Sequence, residues 1–112
     1  MKITFVIPVY NERETLEALA AGIAEHVAPH DYRILFVDDG STDGSLEVMN
    51  RLRDADPRIE VIRLRGNFGK SAALATGFAN ADGDLVFTMD SDLQDEPKEI
   101  PRFLDKLNEG YD

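Results

Sequence analysis

Apolar and polar positions along this 112-residue chain alternate between two periods. Ile3 to Val9 is a short apolar run rich in β-branched residues, the pattern of a buried strand. Leu16, Leu19, Ala20, Ile23 and Val27 then recur at helical spacing, which predicts an amphipathic helix over 12–27 with Asn11 as a candidate cap. "APHD" breaks that helix, and "YRILFVDDG" reads as a second strand ending at Asp38 or Asp39. "GSTDGS" is a turn into a second helix through Leu46, Val48, Met49 and Leu52, with Ser41, Thr42 or Asp43 as cap candidates. Pro57 cannot extend a helix and ends it. Ile59 to Leu64 is a third strand, and the small-residue-rich stretch 71–81 a third helix stopped near Gly83. Leu85 to Met89 is a fourth strand. Pro97 opens a last helix with Ile100, Phe103, Leu104 and Leu107 on one face.

The order β-α-β-α-β-α-β-α predicts an α/β fold: a Rossmann-like, mostly parallel, doubly wound sheet with helices on both faces. Ligands of such sheets bind beyond the carboxyl ends of the strands. Here the strands run into "PVYNE", "DDGS", "RGNFGK" and "DSDLQD". The topology therefore gathers these loops at one rim, and four weak motifs become one composite site.

Composition narrows the classes. Hydrophobic content of 43% with 30% charged residues fits a globular chain. With no cysteine there is no disulfide, thiolate metal site or cysteine nucleophile. A formal charge of -10 repels nucleic-acid phosphate, so no nucleic-acid partner is expected. The N-terminus lacks a small-residue cleavage site and does not read as a signal peptide.

Each motif admits a functional and a structural reading. Asp90 and Asp92 stand at i, i+2 just after a strand. Hard divalent cations such as Mg²⁺ or Mn²⁺ take one or two carboxylates plus substrate phosphates. Gln94 offers a neutral oxygen to the same ion or merely solvates the loop. Asp95 and Glu96 read as acids favouring a helix N-terminus. Asp39 either accepts hydrogen bonds from a base or ribose, or caps the turn. "RGNFGKS" is not a Walker loop, because Leu64 stands where that pattern needs glycine. It leaves Gly69 and Lys70 at a helix start, suited to an anion or to an ordinary cap. Pro8, Tyr10 and Glu12 offer a rigid corner, an aromatic face and a carboxylate, or else a helix cap with a first-turn acid. His26 and His30 lie away from the rim and receive no role.

"IPVYNE", "FVDDGSTDGS", "RGNFGKSAAL" and "GDLVFTMDSDLQDEPKEIP" resemble, in order and spacing, family 2 glycosyltransferases of the GT-A fold. The "NFGK" and "DSDLQDEP" versions look most like the polyprenyl-phosphate hexosyltransferase branch. The resemblance implies a nucleotide-diphosphate-sugar site. Pro8, Tyr10 and Glu12 border base and ribose, Asp39 meets the base, and Lys70 lies near the phosphates. Asp90 and Asp92 form the DxD motif for Mg²⁺ or Mn²⁺, with Gln94 a further ligand. Gly66 between Arg65 and Asn67 departs from the family pattern.

The implied reaction is inverting transfer of a hexose to a polyprenyl phosphate or glycan, in the cytoplasm or at the cytoplasmic face of a membrane. The family domain continues past Asp112. The resemblance therefore implies that residues 1–112 are its nucleotide-sugar-binding part, truncated before the acceptor side and the catalytic base. Self-association through the uncovered sheet edge is expected of such a piece. The rival readings are a non-catalytic nucleotide-binding module and a phospho-receiver. A receiver wants its acids after the first strand, where "VYNE" stands. A phosphatase of the DxDx[TV] type is disfavoured by Gln94 at its fifth position.

Overall fold

The computed structural model describes residues 2–27, 30–83 and 85–89. Among them the order is β1 (Lys2–Val9), α1 (Leu16–Val27), β2 (Asp31–Asp38), α2 (Ser45–Ala55), β3 (Ile59–Arg63), α3 (Lys70–Asn80) and β4 (Leu85–Thr88). The strands form one parallel sheet in the order β3-β2-β1-β4. The predicted last helix from Pro97 lies outside the described residues, as do Asp90, Asp92 and Gln94.

Alternation along the strands divides the core. Ile3, Phe5, Ile7 and Val9 of β1 and Tyr32, Ile34 and Phe36 of β2 face α1 and α2, and Leu16, Leu19, Ile23 and Met49 close that layer. Phe5 stacks on Phe87 of β4 at 5.6 Å between centroids. On the opposite face Val6, Leu35 and Val37 meet Ala73 of α3. α3 lies close enough that a Cβ on Gly77 would stand 2.3 Å from Val6 Cγ1. The small residues of α3 are thus what let it approach the sheet. Both faces carry helices, and the doubly wound prediction holds.

The chain steps outward from β1 to β2 to β3, then returns to β4 on the other side of β1. That reversal is a topological switch point, where open α/β sheets form their ligand crevice. The loop after β1 and Met89, at the end of β4, flank it. Met89 donates its backbone N–H to Val6 O, so β4 reaches the same rim as the end of β1.

The starts of α1 and α2 differ from the sequence reading. α1 begins at Leu16, not Glu12. Asn11 adopts φ 53, a left-handed conformation that a helix cannot contain, and the Glu12 N–H is taken by Ser45 Oγ at 3.0 Å. The Thr15 carbonyl accepts the first helical bond, from Leu19 N at 2.9 Å, so Thr15 is the cap position and not Asn11. α2 is capped by Gly44 at φ 95, not by Ser41, Thr42 or Asp43. Among the described residues no helix is long and apolar enough to cross a membrane.

Candidate functional site

Three strand-end loops are bonded into one rim. The loop after β1 and the loop after β2 exchange hydrogen bonds in both directions. Asn11 N–H donates to Ser41 Oγ at 3.0 Å, and Thr42 N–H donates to Asn11 Oδ1 at 2.8 Å. Asn tolerates left-handed backbone because its short polar side chain bonds locally, and here it bonds across to the neighbouring loop. Arg13 Nη1 donates to the Asp43 carbonyl at 3.1 Å, and the Asp43 carboxylate accepts from the Ser45 N–H at 3.0 Å. Burial alone would raise the Asp43 carboxyl. Bonds from the Ser45 hydroxyl, Ser45 N–H and Arg13 N–H outweigh it and hold Asp43 below its ordinary value.

The loop after β2 is joined in turn to the loop after β3. Asp39 is 5% exposed, and its N–H donates to Val9 O at 2.8 Å. Its carboxylate accepts from Phe68 N–H at 2.7 Å and from Gly69 N–H at 3.0 Å. Beside it, Gly40 lies so near the Gly66–Asn67 backbone that a Cβ there would stand 2.8 Å from Gly66 C. Gly66, the departure from the family pattern, is thus where two loops touch.

The predicted site residues are placed as follows. Pro8 is half-buried in β1, in register with Val37. Tyr10 is 45% exposed at the rim. Glu12 lines a groove of about 560 Å³ together with Asn11, Arg13, Glu14, Thr15 and Asp43. Asp39 sits between the second and third loops, and Lys70 is the first residue of α3. Both carboxylate oxygens of Asp39 already accept a backbone N–H. A carboxylate has about four lone-pair sites, so it can still accept a donor from a bound base. Asp38, on the other face of the strand, bonds Ser41 N–H at 3.3 Å through Oδ1, while its buried Oδ2 has no partner.

Sequence reasoning missed Asn11, Ser41 and Ser45 as the fasteners of the rim. The signal available was "YNE" and "GST" at strand ends, but their pairing spans 30 or more residues. Among the described residues no group of three or more His, Asp or Glu side chains is placed to hold a metal ion. In the sequence Asp90, Asp92 and Gln94 come within five residues after Met89 and carry hard oxygen donors of the kind Mg²⁺ and Mn²⁺ take.

Known proteins agree with this architecture. The chain is 44% identical over 114 residues to the undecaprenyl-phosphate 4-deoxy-4-formamido-L-arabinose transferases of Yersinia pestis and Salmonella choleraesuis. The match covers 99% of this chain and 35% of theirs, so the chain spans about a third of their length. Among solved structures, a mannosyltransferase from Pyrobaculum calidifontis in complex with GDP-Man and Mn²⁺ superposes with a TM-score of 0.74 at 30% identity. It covers 80% of this chain and 27% of that one. Glucosyl-3-phosphoglycerate synthase from Mycobacterium tuberculosis, in complex with Mn²⁺, UDP and glucosyl-3-phosphoglycerate, gives 0.73 at 26% identity, covering 95% and 39%. Residues 4–112 match the family described as glycosyl transferase family 2, and with its parallel GT-A sheet this chain belongs to that family.

Proposed function

We propose that residues 1–112 form the nucleotide-sugar-binding part of an enzyme that transfers a hexose from a nucleotide diphosphate to a polyprenyl phosphate with inversion. The observation that carries this reading is the bonded rim. Asn11–Ser41 and Asp39–Gly69 hold Tyr10, Glu12, Asp39 and Lys70 on contiguous loops that run along the rim from the end of β1 past β2 to β3. The resemblance to undecaprenyl-phosphate transferases supports the lipid acceptor. In a protein of their size, the acceptor side and general base belong to residues other than these. In this reading a lipid-phosphate acceptor brings the full-length enzyme to a membrane surface, on its cytoplasmic face.

In this reading Pro8 and Tyr10 border the base, Glu12 holds a ribose hydroxyl, and Asp39 accepts from the base. Lys70, with the N-terminal turn of α3, meets the diphosphate. Asp90, Asp92 and Gln94 would hold Mg²⁺ or Mn²⁺, which when bound offsets charge on the leaving diphosphate. A polyprenyl phosphate is already anionic at neutral pH and asks little of a general base. A second reading concerns the sugar: the relatives named above act on an arabinose derivative, which favours a substituted pentose donor.

Titration calorimetry with UDP and GDP, with and without Mn²⁺, tests the site. Asp92→Asn is expected to weaken metal-dependent binding more than tenfold, whereas Asp95→Asn changes it little. Equal losses from the two substitutions would remove the metal assignment.

Lys70→Ala should weaken a nucleoside diphosphate about five- to tenfold more than the matching nucleoside, the scale of one partly exposed charge contact of about 1 kcal/mol. An equal loss for both ligands would place Lys70 away from the phosphates. Transfer assays with hexose and pentose donors then decide the sugar.

A further inference from the structure

We infer that Asp39 positions the loop between β3 and α3, and so couples the base end of the site to its phosphate end. The inference rests on the nucleotide-sugar reading above but draws on a separate observation. α3 opens on Gly69, which has no side chain to cap the helix. The first N–H groups of a helix have no partner within it. Consecutive N–H groups leading into a helix form a concavity that takes an anion. Here the anion is internal: the Asp39 carboxylate, from 30 residues earlier in the chain, receives both Phe68 N–H and Gly69 N–H.

Asp39 is itself anchored to the sheet by its N–H on Val9 O, and Gly40 next to it touches Gly66 and Asn67. The Asn67 side chain also accepts from Gly69 N–H, at 3.2 Å, but from within the loop it cannot fix the loop to the sheet. Asp39 is therefore the side chain tying the loop's N–H groups to β2. Two consequences follow. A bound diphosphate does not use the Phe68 and Gly69 N–H groups, because a carboxylate already holds them. A base that donates to the remaining lone pairs of Asp39 draws on the same group that orders the entry to Lys70.

The test separates loop order from ligand contact. The chain contains no tryptophan, and Phe68 is 63% exposed, so Phe68→Trp places a single reporter on the loop. In the ligand-free protein, Asp39→Ala is expected to speed amide exchange at residues 68 and 69 at least tenfold and to increase acrylamide quenching of the reporter. Asp39→Asn, which keeps one acceptor, should fall between. Exchange in β1 and β2 should stay slow. Inorganic pyrophosphate with Mn²⁺ is the second probe, because it carries no base. Its affinity should fall several-fold in Asp39→Ala, even though a repelling charge has gone.

Unchanged exchange at 68 and 69, with losses confined to ligands that carry a base, would overturn the inference and leave Asp39 a base contact alone. Where Asp39→Ala exposes the whole sheet to exchange, the Asp39→Asn comparison decides by the same criterion. Failure of the wild-type chain to bind any nucleotide would defeat the functional reading instead, and the ligand-free exchange result would still stand on its own.

Discussion

Gly77→Ala is expected to destabilise the fold by about 1–3 kcal/mol, the usual cost of forcing extra atoms into a packed core. The added Cβ would lie 2.3 Å from Val6 Cγ1 and 3.3 Å from Val37 Cγ2. Real carbon atoms do not approach that closely, so α3 or the sheet must move. Val6 cannot turn aside. It is fully buried on a central strand, and its β-branched side chain has few rotamers to choose from. The gain in helix propensity from replacing glycine, roughly 0.5–1 kcal/mol, offsets only part of the cost. Ala73→Gly, one turn earlier on the same face, is the control. It should lose about 1 kcal/mol of propensity, together with the contacts of one buried methyl, without any clash. Thermal or urea unfolding measures both. A midpoint for Gly77→Ala at or above that of the parent would mean that α3 does not lie where the structure puts it.

This contact also marks how far the sequence could be read. Apolar runs at Ile3–Val9 and Ile34–Val37 announced the sheet, because burial on both faces leaves little choice of residue. The stretch after Lys70 was legible as a helix, and its small residues were visible. That those at 73 and 77 face Val6 was not, since small side chains carry no hydrophobic stripe. The start of α1 was misread for a related reason. Glu12 to Thr15 has acceptable helical composition, but bonds from Asn11 and Glu12 to Ser41 and Ser45, with Thr15 N–H on Glu12 O at 3.2 Å, hold it in a turn.

The candidate site divides in the same way. Topology alone grouped Tyr10, Glu12, Asp39 and Lys70, because parallel strands bring their carboxyl ends to one side. What each group touches was hidden. Asp39 stood undecided between a ligand contact and a cap of its own turn. Its partners turn out to be N–H groups two elements further on. No local pattern encodes an acceptor that far away. The pairing depends on β3 lying next to β2, which only the assembled sheet provides.

The second large effect is expected at Gly40, where fold and site meet. Gly40 has φ 81, and a Cβ there would stand 2.8 Å from Gly66 C and 2.9 Å from Asn67 N. Those are backbone atoms, which cannot rotate away as a side-chain end can. Gly40→Ala therefore combines left-handed strain, about 1–2 kcal/mol, with the cost of pushing two loops apart. A total loss of about 2–4 kcal/mol is expected, larger than either cause alone. Gly69→Ala carries backbone strain without the contact, at φ 97 and ψ 162, an extended positive-φ conformation almost confined to glycine rather than the left-handed helical one. A Cβ there meets nothing within 4 Å. It should show strain without separation of the loops. The two variants then diverge in binding. Gly40→Ala moves Gly66 and Asn67 away from Asp39, so nucleoside diphosphate affinity should fall about tenfold or more, equivalent to at least roughly 1.4 kcal/mol. Gly69→Ala keeps the Gly69 N–H that Asp39 holds, and its affinity should fall less than its stability does. Calorimetric titration on folded samples, paired with thermal unfolding, reads both quantities. Equal affinity losses in the two variants would show that contact between the loops does not shape the site, and that backbone strain alone accounts for the glycine at position 40.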